Sequence, residues 1–76
     1  MTNVPPILYR GMNGSDVERL QRDLSERGYK LGPNGIDGNF DEYTENAVKE
    51  FQKDNKLTVD GVVAAETGPK LGAPLA

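Results

Sequence analysis

Twelve carboxylates and nine basic side chains, with no histidine and no cysteine, set the chemistry this chain can carry. Without His or Cys, the usual Ser-His and Cys-His nucleophile pairs cannot form. Ser15 is taken up as a helix cap, and Ser25 faces outward on the helical register described below. Zinc would need carboxylate ligands alone, an unusual set. Carboxylate pairs remain, because a glycosidase needs only two acids about 5 to 10 Å apart. Most of the acids here alternate with bases on helix surfaces, the pattern of a solvated face, and three short helices leave little room for a sugar-orienting cleft. Asp37-Gly38-Asn39-Phe40-Asp41 begins with the spacing of a calcium loop. Glu42 then stands where Gly is required, and Val48 where Glu is required. A turn followed by a helix cap accounts for these residues better, and the chemistry points to binding rather than catalysis.

The elements that position these residues are announced by a repeat. Asp37-Gly38-Asn39-Phe40 is followed by Thr44 and Val48, and Asp60-Gly61-Val62-Val63 by Thr67 and Leu71, each matched position 23 residues on. Gly accepts positive φ and Asp bonds its own local backbone, so each Asp-Gly marks a tight turn leading into a helix.

The chain of 76 residues is one domain at most. At this size a fold buries only about 60% of its unfolded surface, so the core must be compact. Hydrophobic residues at 36% and charged residues at 28% suit a globular domain. The absence of cysteine rules out a disulfide and leaves the redox compartment open. A net charge of −3 with interleaved signs argues against nucleic acid and against an anionic membrane surface. No apolar run approaches the roughly 20 residues of a membrane span.

Pro5-Pro6 predicts an extended N-terminal arm over residues 1–10, with Ile7, Leu8 and Tyr9 available to the core. After the Gly11 to Gly14 turn, Ser15 and Glu18 fit a capping box. Val17, Leu20 and Leu24 give the first helix, from about Asp16 to Arg27, one apolar face. Glu18/Arg22, Arg19/Asp23, Arg22/Glu26 and Asp23/Arg27 are potential i,i+4 pairs on its outside. Gly28 stands at the left-handed stop. A loop follows, in which Ile36 is expected to point inward. The second helix begins near Asp41 or Glu42, buries Ala47, Val48 and Phe51, and ends near Asp54-Asn55, with Asn suited to the left-handed conformation. A short third helix is expected to end near Leu71, with Thr67 as its cap and Pro69 in its first turn, or else kinked. The expected core is Val17, Leu20, Leu24, Tyr29, Ile36, Phe40, Ala47, Val48, Phe51, Leu57, Val62, Val63 and Leu71, in an all-α fold.

The ordered set resembles the three-helix peptidoglycan-binding modules. Their string is carried here by Gly11 and Gly14; Val17, Leu20, Gln21 and Leu24; Gly28-Tyr29; Asp37-Gly38-Asn39-Phe40; Thr44, Ala47-Val48 and Phe51-Gln52; and Leu57, Asp60-Gly61-Val62-Val63 and Thr67. The match runs from about Gly11 to Leu71. Two departures stand out. Asp41 replaces the Gly that often follows the Phe, and Ala64-Ala65-Glu66-Thr67-Gly68 replaces the common Gly-Pro-x-Thr-Trp. The resemblance implies a small orthogonal three-helix bundle over residues 11–71, with residues 72–76 a tail or the start of a linker. It implies a monomeric, non-catalytic binder of murein that needs no cofactor and anchors an attached cell-wall hydrolase such as a phage endolysin or autolysin. A prodomain of the matrix metalloprotease type would be followed by a cysteine, which is absent.

Murein offers sugar faces, stem-peptide amides and free carboxylates, and the loop from Tyr29 to Tyr43 offers aromatic walls, exposed glycine amides and Asn and Asp side chains. Tyr29, Asp37, Asn39, Phe40, Tyr43 and Thr44 are therefore expected to line or shape the ligand site. The alternative places Phe40 and Tyr29 in the core, Thr44 in local bonding and Asp37 in the turn alone. A protein-interaction or scaffolding domain that reuses the fold is the second reading of function. The N-terminus shows no charged region followed by an apolar stretch, so no signal peptide is expected. Action at the wall, in the periplasm or outside the cell, would then follow export through a holin, as for a phage endolysin.

Overall fold

The computed structural model describes residues 7–64. The expected third helix, Leu71 and the expected tail fall on residues outside those described, as do residues 1–6 of the expected arm. Two helices are present, α1 (Ser15–Glu26) and α2 (Glu42–Asp54), with no strand longer than an isolated bridge among the described residues. Nor is any helix there long and apolar enough to cross a membrane.

Each helix buries one stripe. Val17, Leu20, Gln21 and Leu24 face inward from α1, and Thr44, Ala47, Val48, Phe51 and Gln52 from α2. These are i, i+3, i+4, i+7 positions, the spacing of a single helical face. Leu8, Leu31, Phe40 and Val63 complete the core. Tyr29 closes it from the side, its ring edge-on to Phe51 at a centroid distance of 5.8 Å. Arg27 covers the Phe51 ring from 5.6 Å.

Several expectations are corrected. Ser15 does not cap α1. The helix starts one residue earlier, Gly14 takes the cap position with φ 127°, and no side chain bonds the first amides. Glu18 instead meets Arg22 at 3.3 Å, the one of the four anticipated i,i+4 pairs that closes. At the other end Gly28 does adopt a left-handed φ of 92°. Its N–H donates to Ser25 O and the Tyr29 N–H to Leu24 O, both at 3.0 Å, which satisfies the last carbonyls.

The end of α2 has the same design with a different residue. Asn55 stays at φ −102°, and Lys56 takes the left-handed turn at φ 58°. The Leu57 N–H then reaches Gln52 O at 2.8 Å. At the start of α2, Asp41 is the cap, its Oδ1 accepting the Thr44 N–H at 3.0 Å. The Asp that departs from the family's Gly thus serves the helix dipole and one orphan amide. Ile36 is 42% exposed, not inward, because its turn faces solvent. Val62 is only half-buried, and Leu31, absent from the expected core, is buried.

The N-terminal segment joins the two repeats. Leu8 and Val63 exchange both backbone hydrogen bonds, at 2.9 and 2.8 Å. Further along, Phe40 N donates to Met12 O, Gly11 N to Phe40 O and Gly14 N to Gly38 O. Phe40 and Val63 occupy the same place in the two repeats, three residues after Asp37 and Asp60. One extended segment therefore tethers both turns through backbone bonds. Of its apolar residues Leu8 is buried, while Ile7 and Tyr9 remain exposed.

Candidate functional site

The turns are held by two buried glutamines. Gln21 and Gln52 are each 1% exposed, at equivalent places in the string Val-x-x-(Leu/Phe)-Gln. A buried amide must find partners for two donors and two acceptor lone pairs. Gln21 Oε1 accepts the Asp37 N–H at 3.0 Å and the Gly38 N–H at 2.8 Å. Its Nε2 donates to Asp37 Oδ1 at 3.1 Å, Asn39 O at 2.9 Å and Thr44 Oγ1 at 3.0 Å, so one hydrogen is shared. Gln52 Oε1 accepts from Asp60 N at 3.1 Å and Gly61 N at 2.9 Å. Its Nε2 donates to Asp60 Oδ1 at 2.9 Å and Val62 O at 3.0 Å.

Within each turn the Asp also accepts an amide two residues on. Asn39 N reaches Asp37 Oδ1, and Val62 N reaches Asp60 Oδ1, both at 2.9 Å. Asp, Gly and Gln thus form one closed network, built twice. No buried side-chain nitrogen or oxygen among the described residues lacks a partner. The network sets the acidity of the two turn acids. The Asn39 amide, then Gln21, hold the Asp37 carboxyl below the usual carboxylate range, and the Val62 amide, then Gln52, do the same for Asp60. A general acid needs the opposite shift. No group of three potential metal ligands gathers among the described residues.

Beside the first turn lies a shallow groove of about 630 Å³, lined by Ser25, Gly28, Tyr29, Lys30, Leu31, Gly32, Gly35 and Ile36. Gly28 at the stop of α1 and the Gly32–Gly35 turn both contribute to its wall. Tyr43 borders that wall. A Cβ on Gly32 would come within 2.5 Å of Tyr43 Cγ, so the ring rests directly on the glycine backbone. Tyr43 is nonetheless 46% exposed. Tyr29 donates its hydroxyl to Asp54 Oδ2 at 2.7 Å, and this bond, then burial, then the Asp54 charge raise the phenol's pKa.

The six sequence-predicted residues separate into three groups. Tyr29 lines the groove, and Tyr43 is outside its lining but packs against Gly32, which lines it. Asp37 and Asn39 are exposed on the adjoining turn, their backbones held by Gln21. Phe40 and Thr44 are buried, and they shape the turn from below without a surface to offer a ligand. Sequence reasoning assigned no role to Gln21 or Gln52, and it passed over Lys30, Leu31 and Gly32 as wall residues. The signal for the glutamines was present: a polar residue inside an otherwise apolar helical stripe, occurring twice in the same context.

Residues 13–71 match the family model described as "Putative peptidoglycan binding domain". Among curated proteins, N-acetylmuramoyl-L-alanine amidase CwlL of Bacillus licheniformis is 39% identical over 67 residues, 88% of this chain and 19% of that protein. Among solved structures, the SleB N-terminal domain superposes with a TM-score of 0.82 at 35% identity, over 90% of both chains. A Burkholderia AP3 phage endolysin superposes with a TM-score of 0.80 at 36% identity, over 88% of this chain and 25% of that one. The chain spans 19% of the length of the curated relatives it matches.

Proposed function

The chain belongs to the peptidoglycan-binding domain family, and on that premise we propose that it is a non-catalytic module holding an attached cell-wall hydrolase on murein. The observation that carries this reading is the groove between the end of α1 and the Gly32–Gly35 turn, with Tyr43 packed against Gly32 of its lining. It combines an apolar wall from Leu31 and Ile36, an aromatic edge from Tyr29, the exposed Tyr43 ring beside Gly32, and backbone polar groups at glycines. Such a mixed surface suits a polymer of sugars and short peptides. The carboxyl of Asp37 in the neighbouring turn is held below the usual range by the Asn39 amide and Gln21, the opposite of what a general acid needs, which favours binding.

In this reading Tyr29, Tyr43 and the Asp37-Gly38-Asn39 turn present ligand contacts, and Phe40 and Thr44 hold the turn in shape. The amidase and endolysin named among the relatives support the attached partner. The place of action is the cell wall. A domain of this size offers little contact area, so single-module affinity is modest and the attached enzyme benefits chiefly from raised local concentration.

The experiment is sedimentation with insoluble, protein-free sacculi, comparing the parent with Asn39→Ala and Tyr43→Ala after circular dichroism has verified folding. Loss of the pelleted fraction in either variant supports the site. Full retention in both refutes it.

A further inference from the structure

Four Asn-Gly or Asp-Gly steps occur in this chain: Asn13-Gly14, Asn34-Gly35, Asp37-Gly38 and Asp60-Gly61. All four carry the same latent reaction. The glycine amide nitrogen, once deprotonated, attacks the preceding side-chain Cγ. For asparagine the new C–N bond closes a succinimide and the side-chain nitrogen leaves as ammonia. Water then opens the ring at either carbonyl, giving aspartate or isoaspartate. Nothing is oxidised or reduced, and water is the only co-reactant. Glycine is the favourable follower because it has no Cβ to obstruct ring closure.

The reaction needs the glycine N–H free and the side chain able to swing over it. Three of the four steps are held against this. Gly14 N donates to Gly38 O at 2.9 Å, and Asn13 is bridged to Asn39. Gly38 N is fixed on Gln21 Oε1 at 2.8 Å, while Asp37 Oδ1 is occupied by Gln21 and the Asn39 amide. Gly61 N and Asp60 are fixed in the same way by Gln52 and the Val62 amide. The Gly35 N–H donates only to Gly32 O, in a long hydrogen bond of 3.3 Å within its own turn, and Asn34 is exposed.

We propose that Asn34 is the site of spontaneous deamidation in this domain, and that its conversion acts on the groove. Gly32 and Gly35, on either side of Pro33-Asn34, both line that groove. Aspartate there adds a negative charge beside the groove, and isoaspartate also lengthens the backbone by one carbon. The modification stands on the turn geometry alone, whereas its effect on wall binding rests on the proposed function.

The test is incubation of the folded chain at mildly alkaline pH and body temperature. Peptide mass spectrometry then follows the amide-to-acid mass gain separately at Asn34 and Asn13. A parallel sample in urea gives the rates of the open chain. In the folded protein Asn34 converts at least about tenfold faster than Asn13, because one short hydrogen bond must open before Asn13 can react. In urea the two rates converge. Gly35→Ala slows the Asn34 reaction and leaves Asn13 unchanged. Equal folded-state rates at the two sites, or an Asn34 held as stable as Asn13 while both react in urea, would overturn the proposal. Aged and fresh chain are then compared by sacculus sedimentation. Conversion at Asn34 with unchanged pelleting removes the link to the groove. Failure of the fresh chain to pellet counts against the proposed function and leaves the modification standing.

Discussion

Replacing Gln21 by leucine tests whether the buried glutamine holds the first turn. The side chain makes five hydrogen bonds. Asp37 and Asn39 are exposed and recover water when the amide is removed. Gly38 and Thr44 are buried, so their N–H and hydroxyl are left without a partner. Orphaning a buried polar group costs about 1–3 kcal/mol, giving about 2–6 kcal/mol for the pair. Burying a leucine offsets about 1.5–3 kcal/mol. The expected net loss is about 2 kcal/mol, a large fraction of the roughly 4–11 kcal/mol typical of a chain this size. It corresponds to a fall in Tm of about 8–16 °C. Urea unfolding followed by far-UV circular dichroism measures it, with an unchanged m-value showing that the comparison is sound.

A second variant, Gln21→Glu, keeps the acceptor but places a carboxylate oxygen where Nε2 lay 3.1 Å from Asp37 Oδ1. Burial and the neighbouring charge would raise this carboxyl's folded pKa above its unfolded value of about 4.3. Its stabilising form is therefore present below that unfolded value and is lost as pH rises through the folded one. The variant is expected to be weak at neutral pH and to recover as pH is lowered. A Gln21→Leu loss below about 0.5 kcal/mol, together with a Gln21→Glu defect that does not change with pH, would refute the network as the turn's support.

Lys56→Gly removes a non-glycine residue from φ 58° and is expected to stabilise the domain by about 1 kcal/mol in the same unfolding assay. Gly32→Ala combines φ 81° with a Cβ 2.5 Å from Tyr43 Cγ, so it is expected to cost about 1–3 kcal/mol and to weaken sacculus binding by displacing the ring. Because the folded-state carboxyls of Asp37 and Asp60 are lowered, their contribution is complete above the unfolded value of about 3.9 and is lost as pH falls through the folded values. Acid titration of Asp37→Asn/Asp60→Asn, which keeps the acceptor oxygens, is expected to show a shallower loss of stability than the parent.

Both described helices were legible because Val17, Leu20 and Leu24, and likewise Ala47, Val48 and Phe51, carry the apolar period unaided. The turns were legible because Asp-Gly has few other uses. What escaped was decided across the chain rather than along it. Ser15 and Glu18 satisfy a capping pattern, but Gly14 is drawn into a backbone bond with Gly38, and this fixes the helix start one residue early. Ile36 is apolar in a polar loop, and only the position of its turn tells that it edges a groove. Asn55 has the better intrinsic tolerance for the left-handed region, yet the bond from Leu57 N to Gln52 O sets the turn at Lys56. The role of Gln21 depends on segments 16 to 23 residues away, which no local pattern reveals. Of the six expected site residues, spacing alone could not separate the exposed Tyr43 from the buried Thr44 next to it.

This chain is expected to attach to murein without cutting it. The direct measurement is sedimentation of the purified domain with protein-free sacculi of several wall types, beside a charge-matched helical control, with soluble fragments assayed in the supernatant. The expected result is domain enriched in the pellet on at least one wall type, with no release of fragments. Domain left in the supernatant with every sacculus, or fragments released in proportion to added domain, would contradict it.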